Sequence, residues 1–217
     1  MAALDATPDK PVQLSAHLAE EGAPERLAGD PALLGLPSFI VGAVALALVF
    51  IGVVPAGTTG AALPIVLAAT STGLFLAAIW AAVIGQSAVA GINGTFAGLY
   101  LSYAVLVLGL THNWYGIPLT AIADTQKVFV ISWIVIVSML VLASVRLPMV
   151  YGLLFVLVDA SLVLNLLGII QNSTNLAKAA GWVLMAVAAT IVYLFLGAAS
   201  HDTGGKELPL GPPILHA

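Results

Sequence analysis

The sequence predicts an all-α integral membrane protein with six transmembrane helices, and three observations carry the prediction. Six apolar stretches fill residues 33 to 199, each close to the roughly 20 residues that a helix needs to cross a bilayer. Only 7% of residues are charged against 61% hydrophobic, with a mean hydropathy of +1.11, a composition that cannot supply a wetted globular surface. The apolar runs are continuous rather than alternating, which selects helices over a transmembrane barrel.

Taken in order, residues 1 to 30 are Pro-bearing and acidic without an apolar segment, and read as a cytoplasmic N-terminal arm with no signal-peptide core. Within it Ser15 to Glu21 has the makings of a helical turn or two. The first span runs from Leu33 to Val54 and stops at Pro55 and Gly57, which punctuate a turn. The second covers Leu63 to Ile84. The third is expected after the Gly91-Ile92-Asn93-Gly94 stretch and lasts to about Leu110, where Trp114 and Tyr115 sit at interface depth. A polar loop then reaches Lys127. The fourth span is Val128 to Val145, the fifth Pro148 to Ile170 and the sixth Ala179 to Ala199. Only Arg146 and Leu147 part the fourth from the fifth, which implies a tight helical hairpin. Residues 31 to 200 thus form the transmembrane domain and 201 to 217 a cytoplasmic tail. An even number of spans puts both termini on one side. That side carries Lys10, Arg26, Arg146 and Lys206 against Lys127 and Lys178 opposite, so the positive-inside rule places both termini in the cytoplasm, in a multi-pass protein of the cell membrane. Small residues such as Gly91, Gly94, Gly98, Ala186, Ala188 and Ala189 favour close helix packing within membrane lipid.

Chemistry-bearing residues are few. Asp159 is an acidic residue deep in a span, where a bare carboxylate costs several kcal/mol. It is either a proton-carrying group on a solute path or a carboxyl that ties neighbouring helices through hydroxyls or Asn165. Asn93, Thr70, Ser71, Thr72, Ser102, Tyr103, Ser132, Ser138, Ser161 and Asn165 supply uncharged hydrogen-bonding groups, mostly for interhelical contacts, with a minority able to line a narrow path. All four histidines fall outside the spans and there is no cysteine, so the chain offers no ligand set for haem or another metal and no thiol chemistry. It lacks a phosphate-binding loop and a Gly-x-Ser-x-Gly elbow, and six dispersed Lys and Arg make no nucleic-acid surface. The residues point to transport, passive or proton-linked, with no enzyme activity and no cofactor.

The entry to the first span, Asp30-Pro-Ala-Leu-Leu-Gly-Leu-Pro-Ser-Phe39, resembles the NPAPLGLxGF signature of the acetate uptake family, which includes the succinate-acetate permeases. Pro31, Ala32, Leu34, Gly35, Leu36 and Phe39 match; Asp30, Leu33 and Ser38 depart. Asn93 followed by Ser102-Tyr103, Ala180-Gly-Trp182 followed by Tyr193, and Leu-Pro-Leu-Gly211 are similar to further family motifs. The resemblance implies a six-helix protomer in a homo-hexamer, each protomer carrying its own path for acetate and related short carboxylates, with proton-linked or channel-like movement. It also implies a hydrophobic gate of Phe39, Tyr103 and Val158, with Tyr100 competing for the place of Tyr103 and Val158 standing where the family usually has Leu. Such a ring gates by dewetting. Asp159 beside the gate, and Asp30 at its mouth, fit an anion path poorly. The sequence therefore leaves two other readings open: a hexameric channel for neutral solutes such as urea or short amides, and a non-transporting membrane subunit of a larger complex.

Overall fold

In lipid a backbone can satisfy its N–H and C=O groups only internally, and the continuous apolar runs accordingly fold as helices. The computed structural model describes residues 29–54, 60–206 and 208–215; the expectation for an N-terminal arm lies outside them except at Gly29 and Asp30. Among the described residues, six helices are long and apolar enough to span a membrane: α1 Ala32–Ile51, α2 Gly60–Val83, α3 Ser87–Thr111, α4 Leu119–Arg146, α5 Met149–Gln171 and α6 Thr174–Asp202.

Three helices, α3, α4 and α6, start a full turn or more earlier than expected. α3 begins at Ser87, so Gly91, Asn93 and Gly94 lie inside it rather than in a turn. Glycine weakens an exposed helix, but in a bilayer the alternative is an unbonded backbone. α4 takes in the polar stretch before Lys127, where Lys127 Nζ meets Asp124 Oδ1 at 2.8 Å one turn apart, and Asp124 lies in the first turn of its α-helical segment, where the dipole favours an anion. α6 begins at Thr174 and carries Lys178 out of the apolar zone. At its other end α1 stops at Ile51, three residues short of expectation, because Gly52 is left-handed (φ 85°). The Gly52 N–H then donates to Val49 O at 3.1 Å and the Val53 N–H to Leu48 O at 3.0 Å, a Schellman closure that satisfies two orphan carbonyls.

The helices pack in the spatial order α3, α2, α1, α6, α5, α4, so α1 lies at the middle of the sequence of neighbours. Small residues set these contacts. A Cβ on Gly181 of α6 would stand 2.8 Å from the Ile51 backbone nitrogen, and one on Gly42 of α1 would stand 2.5 Å from Thr70 Oγ1 of α2. Thr70 closes a π-helical stretch, Ile65–Thr70. α5 and α6 are tied where Ser161 Oγ donates to Ala180 O at 3.0 Å. α4 is the least enclosed helix, with Val130 and Val137 buried in its α-helical segment and Val128, Val135, Met139 and Leu142 facing outward.

Beyond α6 the chain folds back over one end of the bundle. Tyr193 Oη donates to Pro209 O at 2.7 Å, the Val150 N–H to Leu210 O at 3.2 Å and the Leu215 N–H to Val145 O at 2.9 Å. Leu208 and Leu210 share a recess with Asp30, so the described ends of the chain meet on the same face.

Candidate functional site

The signature segment builds one wall of the site. Asp30 Oδ1 accepts the Ala32 N–H at 2.8 Å, which caps the first turn as an Asn would, so the departure at this position keeps the cap. Gly35, one turn on, is the only residue that leaves room for Asn93 of α3, since a Cβ there would stand 2.7 Å from Asn93 Oδ1. Asn93 therefore wedges α3 against the signature. Another turn along, Phe39 points inward and is 5% exposed.

Phe39 enters an aromatic block. Its ring centroid lies 4.6 Å from that of Phe96 and 5.7 Å from that of Tyr100, edge to face; Phe96 in turn stacks on Phe155 at 6.2 Å. Each pair falls in the range where the ring quadrupoles attract. Beside the block is a cavity of about 70 Å³, lined by Phe39 and Phe50 of α1, by Phe96, Tyr100 and Tyr103 of α3, by Phe129 of α4, and by Val158, Ser161 and Asn165 of α5 among others. That is enough space for a few waters or one small solute, since a single water needs roughly 10–15 Å³.

On the other side of the block lies a wider vestibule of about 300 Å³, lined by Asp30, Ala32, Leu36, Tyr151, His201 and the tail residues Leu208 and Leu210, with others. One face of α5 runs through all three regions: Tyr151 in the vestibule, Phe155 in the block, Val158 and Asn165 in the cavity. At 1.5 Å per residue this stripe is about 21 Å long, most of a bilayer core.

The cavity is apolar but not inert. Among the described residues no Asp, Glu, Lys, Arg or His lines it. Ser161 is occupied by the Ala180 carbonyl, whereas the Tyr100 and Tyr103 hydroxyls and the Asn165 amide have no hydrogen-bond partner among the described residues. Two phenolic O–H groups and one carboxamide thus border a space that excludes charge. They can replace part of the solvent shell of a small carboxylate or amide.

The expected site residues divide accordingly. Phe39, Tyr100, Tyr103, Val158 and Asn165 meet in the cavity. Asn93 packs on Gly35 instead. Asp159 does not line the cavity: Ser138 Oγ of α4 lies 3.2 Å from each of its carboxyl oxygens, which makes it a tie between α4 and α5. Within the signature, Pro31 is fully buried, Leu34 O accepts the Ser38 hydroxyl at 2.8 Å, and Leu36 faces the vestibule. Sequence reasoning missed Phe96, Phe129 and Phe155. Helical spacing held the signal for two of them, because Phe96 precedes Tyr100 by four residues and Phe155 precedes Val158 by three.

The fold has a solved counterpart. The solved structure of the bacterial acetate channel SatP is similar to this chain with a TM-score of 0.75 at 19% identity, over 85% of this chain and 100% of that one. A search of curated proteins returned no match. The family model described as the GPR1/FUN34/yaaH family matches residues 15–204. With its signature entry, six spans and aromatic block accounted for together, the chain belongs to the GPR1/FUN34/yaaH family, the acetate uptake family that its first helix resembles.

Proposed function

We propose that this protein conducts acetate and related short monocarboxylates across the cell membrane through the cavity beside Phe39. The observation that carries the reading is the pairing of an aromatic block with a cavity that, among the described residues, is uncharged and leaves the Tyr100, Tyr103 and Asn165 polar groups without hydrogen-bond partners. Family membership and the likeness to an acetate channel support it. Phe39, Phe96, Tyr100 and Phe155 form the barrier that must part, and Val158 sets the width beyond it. Because no carboxyl of the described residues lines the cavity and a bare carboxylate is costly in an apolar space, the proton linkage resides on the solute, which passes as the acid or sheds its proton only at the polar groups. Asp159 then serves structure rather than coupling.

A neutral-solute channel is the competing reading, since an uncharged cavity also suits an amide. Labelled acetate uptake into proteoliposomes, with excess acetamide as competitor, separates the two. Saturable uptake that rises toward acid pH and is blocked by propionate but not acetamide supports the carboxylate reading; free passage of acetamide without acetate flux overturns it.

The Lys and Arg distribution supports cytoplasmic termini, which puts the vestibule on the cytoplasmic face. Outward apolar faces, including Trp182 at 63% exposure on α6, together with the family resemblance, support assembly as a homo-hexamer.

A further inference from the structure

α2 is not uniformly wound. Its stretch Ile65–Thr70 is π-helical, and the Ser71 N–H that follows donates to Val66 O five residues back, so this turn holds one residue more than an α-helical turn would. Val66 O also accepts the Ser71 hydroxyl at 2.6 Å, which fills both of its lone pairs. The Thr70 hydroxyl is left over. It is fully buried, has no hydrogen-bond partner among the described residues and lines neither the cavity nor the vestibule. Hydroxyls elsewhere in these helices donate to the carbonyl four residues back, as those of Ser38, Thr111, Ser132 and Thr190 do at 2.7–2.9 Å. For Thr70 that carbonyl is Val66 O, which Ser71 holds. A buried hydroxyl without a partner is costly, and in hydrocarbon no water relieves it.

The flanks of this turn are fixed differently. A Cβ on Gly42 of α1 would stand 2.5 Å from Thr70 Oγ1, and one on Gly73 of α2 would strike the Ser38 hydroxyl, so the two helices run antiparallel with Gly42 level with Thr70 and Ser38 level with Gly73. Carried one turn on, this pairing sets Leu46 level with Val66, both buried in one core. Leu46 in turn lines the cavity. At the other end Pro64 borders the π-helical stretch and has no N–H to leave unbonded, so the surplus residue has a place to go.

We propose that the Ile65–Thr70 turn is a register switch for the conducting path: the surplus residue moves one turn toward Pro64, Val66 O passes from Ser71 to Thr70, and Leu67 takes the place of Val66 against Leu46. The inference rests on the cavity beside Phe39 being the path. In α-helical winding the residue four before Ser71 stands where the residue five before it stood. Ser71 then has Leu67 O four residues back, and neither hydroxyl is left over. Leucine is larger than valine, and added bulk in a packed core displaces backbone. α1 lies between α2 and α6, so it yields toward α6 and draws Phe39 away from Phe96 and Tyr100 of α3. Thr70 is thus a positioning residue that acts on the barrier through α1.

Thr70→Val keeps the shape and removes a hydroxyl that is idle in the register of this structure and bonded in the other. Acetate uptake into proteoliposomes should fall about three- to ten-fold, the factor that one ordinary hydrogen bond sets on an equilibrium, with the melting temperature unchanged or raised. Thr70→Ser should conduct as the wild type does. Because the chain has no cysteine, two thiol pairs read the register directly: Leu46→Cys with Val66→Cys, and Leu46→Cys with Leu67→Cys, each treated with a short bifunctional methanethiosulfonate. Both pairs should cross-link, and adding Thr70→Val should suppress the Leu67 pair several-fold while sparing the Val66 pair. Wild-type uptake by a folded Thr70→Val protein overturns the proposal, as does a Leu67 pair indifferent to Thr70→Val, or a loss of uptake that comes with a lowered melting temperature. Cross-linking as expected in a wild type that carries no acetate upholds the switch and counts against the path, so the two readings fail separately.

Discussion

Replacing Phe39 by Ala isolates the barrier. Its ring makes two aromatic contacts, 4.6 Å to Phe96 and 5.7 Å to Tyr100, and a path through this point opens only when both are broken or displaced. Aromatic pairs contribute about 0.5–1.5 kcal/mol each beyond their buried area, so about 2 kcal/mol of the opening cost disappears with the ring. At 1.36 kcal/mol per factor of ten, the initial rate of acetate entry should rise about 30-fold. The space released adjoins the existing cavity, so selection by size should relax as well, and succinate entry should rise relative to that of acetate. Stopped-flow or filtered uptake into proteoliposomes reads both effects, with protein-free liposomes as background and a melting curve as the folding control. Phe39→Leu, which keeps bulk but loses ring contacts, should fall between the two. A folded Phe39→Ala protein with unchanged or slower acetate entry would refute the assignment of Phe39 to the barrier.

Other substitutions separate packing from permeation. Gly181→Ala brings a Cβ within 2.8 Å of the Ile51 backbone; a backbone cannot step aside, so an overpacking loss of about 1–3 kcal/mol is expected as a lowered melting temperature, whereas Gly91→Ala, which meets open space, should not lower it. Ser138→Ala removes the donor to Asp159 and should cost about 0.6 kcal/mol, up to about 1.7, in thermal or denaturant unfolding. Asp159→Asn keeps a partner for Ser138 and should leave the pH profile of acetate uptake in place, with uptake rising as pH falls; a flattened profile would put the coupled proton on this carboxyl. Tyr193→Phe deletes the 2.7 Å bond to Pro209, and hydrogen exchange at the Val150 amide, held by the tail's Leu210 O, and at the tail's own Leu215 amide, held by Val145 O, should speed up several-fold.

The spans were legible because lipid imposes one rule on every residue within them. Continuous apolar runs had to become helices, and all six did. Their starts were less legible, since composition marks where hydrocarbon ends and not where hydrogen bonding ends. That is why Gly91 to Gly94, Asp124 to Lys127 and Thr174 to Lys178 turned out helical. Inside the bundle, Phe39 was legible through a motif, and Tyr100, Tyr103, Val158 and Asn165 proved to share its cavity. Phe96 and Phe155 were not, because in a membrane helix an aromatic residue facing lipid looks the same in sequence as one facing the core; only their register with Tyr100 and Val158 distinguishes them. Asp159 shows the converse. Its depth in the span was plain, but whether it faced solute or Ser138 depended on the rotation of α5 against α4, which its own helix does not encode.

The chain has no cysteine, so a single introduced thiol reports on one position alone. Val158→Cys places it in the cavity, and Val156→Cys, two residues away and directed outward at 49% exposure, serves as the comparison. Acetate uptake should be blocked when a small methanethiosulfonate reagent modifies Val158→Cys, acetate should slow that modification, and modified Val156→Cys should transport as before. Full uptake by completely modified Val158→Cys would mean that the solute crosses somewhere other than the cavity beside Phe39.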